Sequence, residues 1–76
     1  MSTERDLRQL YQDVHFFAAA LSETLVSVWE EDPAGEYVEV ERGIIDRYTA
    51  DYVRVRNATT GSMTHYSRDT AMFKRI

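Results

Sequence analysis

The chain has 76 residues, 43% of them hydrophobic and 29% charged, with a formal net charge of −4 and no cysteine. That length holds one small domain, and the apolar-to-charged balance belongs to a folding chain rather than a disordered one. Disulfide frameworks and thiolate metal sites are excluded, and no apolar run approaches the roughly 20 residues that cross a bilayer, so a cytoplasmic protein without a membrane partner is expected.

The acidic charge sits in front. Before Tyr37, Arg5 and Arg8 stand against eight carboxylates, leaving −6; from Tyr37 onward seven basic groups stand against five acidic ones, leaving +2. Such a balance neither favours duplex nucleic acid nor forbids a local basic site.

Apolar residues at Leu7, Leu10, Tyr11, Val14, Phe17, Ala18 and Leu21 fall on one face of a helix, which the spacing predicts within residues 1–22. Ser2 or Thr3 is the expected cap, with Glu4 and Asp6 in the first turn. The β-branched and aromatic residues from Thr24 to Trp29 predict a first strand, followed by the acidic loop Glu30 to Glu36. The run Tyr37–Asn57 alternates with period two on either side of a bend at Arg47 to Ala50 and predicts a strand pair. Gly43 marks a bulge or sharp bend, and antiparallel register would set Glu39 and Glu41 across from Arg54 and Arg56. A turn-rich loop from Asn57 to Ser62, a strand Met63–Tyr66, a tight turn at 67–70 and a closing strand 71–76, with Ile76 inward, complete the chain. One helix followed by five short strands predicts a single α+β domain over 1–76. An amino-terminal helix would pack on a small, strongly bent five-stranded antiparallel barrel, 24–76, of Sm-like or SH3-like type.

The helix, Gly43 with Ile45, Tyr48, Val53, Val55 and Asn57, and the last short strand ending in Ile76 give a chain that resembles the Sm-like (Hfq-like) family of small β-barrels over residues 7–76. The resemblance implies that Gly43 permits the bend of the second strand, that Tyr48 lies against a base, and that Asn57 closes the third strand. It implies a ring-forming module that binds single-stranded RNA. The family's tyrosine-lysine-histidine motif is replaced here by His65-Tyr66-Ser67-Arg68, with similar groups in a different order.

Two interaction surfaces are expected. Arg47, Tyr48, Arg54, Arg56, His65, Tyr66 and Arg68 interleave guanidinium groups for phosphate with rings for bases, the chemistry of single-strand recognition. The alternative for Arg54 and Arg56 is a solvated strand face paired with glutamates. Leu7, Leu10, Tyr11, Val14 and Phe17 make the helix face wider than a tiny barrel needs to bury, and Trp29 beside the acidic loop offers an aromatic anchor in a negative rim. No catalytic residue, metal site or cofactor is expected: His15 and His65 lack ligand partners at suitable spacing, and Asp46 and Asp51 are turn residues. The expected function is a non-catalytic binding module that oligomerises, through strand edges, and takes single-stranded RNA. The alternative is a regulatory or adaptor protein that binds another protein through the helix or the Trp29 loop.

Overall fold

The computed structural model describes residues 7–76. Its elements are β1 (Gln9–Leu10), α1 (Asp13–Leu21), β2 (Leu25–Glu31), β3 (Tyr37–Tyr48), β4 (Tyr52–Asn57), β5 (Met63–Ser67) and β6 (Ala71–Arg75). All strand pairs are antiparallel, in the order β1-β6-β2-β3-β4-β5. The expected five-stranded barrel is therefore corrected to a six-stranded open sheet, with no pairing that joins β5 back to β6 or β1.

The sheet is nevertheless curled, and the chain length demands it. In a flat sheet β5 and β6 would lie about 19 Å apart, four strand spacings, whereas the four Cα–Cα steps from Ser67 to Ala71 reach only about 14 Å. Curling brings Tyr66 of β5 and Phe73 of β6 to ring centroids 6.3 Å apart. Inside the curl, Leu10, Val26, Val28, Ile45, Val53, Val55, Tyr66 and Phe73 form the core with Phe16 and Ala19 of the helix.

Gly43 permits a close approach of β3 and β4. It lies inside β3, opposite Val26 of β2 on one side and Asn57 of β4 on the other. A Cβ there would stand 2.2 Å from the Arg56 carbonyl oxygen and 2.7 Å from Val55 Cγ1, so two backbones approach where no side chain fits. The expected interruption is instead one continuous twelve-residue strand.

The helix is shorter than its apolar stripe suggests. Leu7 and Arg8 turn, and Gln9–Leu10 pair with Lys74 and Phe73 of β6, so Leu10 enters the core from a strand. The expected cap at Ser2 or Thr3 and acidic first turn at Glu4 and Asp6 lie outside the described residues. α1 starts after Gln12, where His15 Nδ1 accepts the backbone N–H groups of Tyr11 (3.2 Å) and Gln12 (3.1 Å). An imidazole here does what a Glu or Gln does in a capping box. The helix ends at Ser22, whose Oγ donates to the Ala18 carbonyl, and Glu23 then takes a left-handed φ of 52°.

Faces also depart from the alternation. Val28 stands opposite Glu41 but Trp29 opposite Glu39, so β3 carries an extra residue, Val40, at a bulge. Val38 and Val40 are exposed, and Ile76 is exposed rather than inward. Residues 37–42 pair with β2 rather than β4; Arg54 and Arg56 instead lie opposite Arg47 and Ile44, and Glu39 and Glu41 do not reach them.

Gly43→Ala is expected to cost at least the 1–3 kcal/mol typical of overpacking. A drop in the urea midpoint at unchanged m-value is the measurement that checks it.

Candidate functional site

The seven residues expected to hold RNA divide between the inside and the outside of the curl. Tyr66 is a core residue whose hydroxyl donates to Glu41, and Glu41 also accepts from Asn57 Nδ2 at 2.9 Å. Burial, then the hydrogen bond to Glu41, pushes the Tyr66 hydroxyl well above its ordinary range. Tyr48 packs half-buried on Phe16, with centroids 6.0 Å apart. Arg68 is a brace: it donates to Asp13 at 2.8 Å and to the Thr49 carbonyl at 2.6 Å, with its guanidinium 4.5 Å from the Phe16 ring centroid. One side chain thus ties the helix start, the β3–β4 turn and the β5–β6 turn together.

The other four share the outer face of β3, β4 and β5. Arg47, Arg54 and His65 stand side by side across the three strands, and Arg56 lies between Ile44 and Met63 in a parallel row. Arg54 is neutralised by Asp46, to which its Nε donates at 2.7 Å, which relieves the like charges placed opposite one another. Arg47 and Arg56 are exposed, and among the described residues neither makes an ion pair. Tyr52, absent from the sequence expectation, joins this face: its ring meets His65 edge-on at 5.0 Å. The antiparallel register that unites these residues was the missing signal.

The expected protein-contact residues divide as well. Trp29 is half-buried on the outer face of β2, its Nε1 donating to Ser27 Oγ at 2.9 Å and Lys74 Nζ lying 5.0 Å from the ring centroid. It is fixed to the sheet rather than held out as an anchor. The acidic loop beyond it is a tight turn in which Asp32 Oδ1 accepts the N–H groups of Ala34 and Glu36, each at 2.9 Å. Between this hairpin and the β5–β6 turn lies an open cleft of about 440 Å³ lined by Glu30, Glu31, Tyr37, Asp69 and Thr70. Its three carboxylates would repel phosphate.

The helix shows the sharpest contrast. Only Phe16 and Ala19 are buried, whereas Val14, Phe17 and Leu21 are 61%, 55% and 75% exposed. Ala18 beside them is exposed too, and no charged residue occurs from Val14 to Ser22. Before the helix, Tyr11 and Leu7 are 39% and 83% exposed as well. Surface helices ordinarily turn charge to water; this one turns its bulky apolar side outward.

Among the described residues no three His, Asp or Glu side chains are placed to hold a metal ion, and no helix is long and apolar enough to cross a membrane. Asp46 is committed to Arg54, and Asp51 lies in the β3–β4 turn, its carbonyl accepting from Arg68 N–H. Comparison of the chain with protein-family models, curated proteins and solved structures returns no match.

The raised Tyr66 hydroxyl carries a sign for stability. A proton held more tightly in the folded state contributes stability below the unfolded tyrosine pKa of about 10 and loses it as pH rises through the folded value. The folding free energy is therefore expected to decline above about pH 10, and Tyr66→Phe to flatten that decline in denaturant titrations stepped through alkaline pH.

Proposed function

We propose that this protein is a non-catalytic binding module whose docking surface is the outer side of α1. The observation that carries it is the exposed run Val14, Phe17, Ala18 and Leu21 on a helix whose inner side, Phe16 and Ala19, already satisfies the core. Apolar side chains left in water at helical spacing give a partner protein i, i+3, i+4 and i+7 anchors. Burying them removes apolar surface from water at about 25 cal/mol per Å² before ordering costs.

A photo-cross-linking residue placed at Leu21 in cells is expected to yield a protein adduct, while the same residue at Thr59, on the β4–β5 loop, yields none. No adduct at Leu21 would remove this reading.

A second reading is favoured by the cross-strand row Arg47, Arg54 and His65 with Arg56 and Tyr52: a sheet surface that takes single-stranded RNA. Rings beside guanidinium groups on a sheet suit bases and phosphates. If it holds, a single-stranded oligonucleotide binds at low salt, and replacing Arg47 and Arg56 by Ala weakens it and lowers the log–log salt slope by about 0.7 per lost contact. Binding that is absent at low salt, or unchanged in that variant, would dismiss it.

A further inference from the structure

The outer side of α1 is matched to a second copy of itself by the placement of its large and small residues. Val14 and Leu21 are equidistant from the midpoint between Phe17 and Ala18, so a two-fold axis through that point carries the stripe onto itself. Two copies of α1 laid antiparallel then set Phe17 of each over Ala18 of the other, a large side chain over a small one, and Val14 over Leu21. An isologous contact requires this kind of self-complementarity, and alternating large with small is how helices interdigitate.

The flanks permit the approach. In the same register Asp13 faces Ser22 and Gln12 faces Glu23, so no like charges meet. Asp13 is in addition neutralised by Arg68 at 2.8 Å. Antiparallel helices also align their dipoles favourably. Val14, Phe17 and Leu21 are 61%, 55% and 75% exposed and stand together on one side of the helix, and contiguous apolar exposure of this kind marks interaction surfaces. A standard interface covers roughly 800 Å² per partner, an apolar centre with a polar rim around it.

We infer that the partner at this surface is a second copy of the same chain, joined by antiparallel pairing of α1 about a two-fold axis between Phe17 and Ala18. This rests on the docking reading above and specifies its occupant. The pairing depends on the register of large and small residues, not merely on apolar character.

Sedimentation equilibrium of the purified full chain, from low-micromolar to near-millimolar concentration, tests it. The wild type is expected to sediment at twice the chain mass, and Phe17→Glu at the monomer mass with the Trp29 fluorescence of the folded state unchanged. Ala18→Phe adds apolar surface, so a merely sticky patch would associate more strongly. Two-fold pairing instead predicts at least tenfold weaker dimerisation, and Phe17→Ala combined with Ala18→Phe restores it by exchanging the roles of the two positions. A wild-type monomer throughout, a Phe17→Glu dimer, or stronger association of Ala18→Phe would each overturn the pairing. In the first case the docking reading still stands or falls by the adduct at Leu21, which would then carry a protein other than this chain.

Discussion

The close approach at Gly43 governs this structure. Without a side chain there, β3 lies close against the Arg56 backbone, so one strand pairs with β2 along its first part and with both β2 and β4 at its middle. The sheet can then roll until a three-residue turn spans from β5 to β6. The same roll gathers Val26, Val28, Ile45, Val53 and Val55 around Phe73. Those β-branched side chains suit the pleated inner surface.

What the helix contributes follows from that enclosure. The curled sheet has room for Phe16, which meets Phe73 edge-on at 5.5 Å, and for the small Ala19 beside it. Arg68 covers Phe16 from outside and holds Asp13, which fixes the rotation of α1 about its axis. Phe17, one residue on, must point away. The exposed apolar surface is thus a consequence of packing: the inner side is set by Phe16 and Ala19, and the remaining bulky residues of a helix without charge after Asp13 go to solvent. Arg68 and Tyr66 serve this architecture, and the cations of the outer sheet stand apart from it.

Much of the strand architecture was legible in the sequence. The five strands after α1 lie within a few residues of their expected places, with Tyr52–Asn57 and Met63–Ser67 nearly as bounded by the turn residues around them. Gly43 was legible as a special position, but the strand runs through it and the register shifts lie at Val40 and between Ile45 and Arg47. β1 was not legible, because two residues have no period. The helix start was misplaced because Leu7 and Leu10 continue the apolar spacing while belonging to a turn and a strand, and because a histidine in place of Glu or Gln closes the cap. Which helix side is buried could not be read off a segment apolar nearly all round; alanines that permit close approach were the only hint. The exposure of the valines at 38 and 40 was not legible either, because Val40 is the bulged residue and Val38 pairs with Glu30 near the hairpin end of β2 and β3, away from the core. The candidate site suffered most, since face and register, not residue type, decide that Tyr66 and Arg68 are structural while Tyr52 joins Arg47 and Arg56.

The account turns on adjacent phenylalanines having opposite roles. Denaturant unfolding of Phe16→Ala and Phe17→Ala, at protein concentrations low enough to keep the chain monomeric, separates them. Phe16→Ala should lose about 3–5 kcal/mol, the cost of emptying an aromatic core position, while Phe17→Ala should stay within about 0.5 kcal/mol of wild type, as exposed positions do. Equal losses, or a larger one at Phe17, would mean that α1 packs on the sheet through its other side and would contradict the docking surface with it.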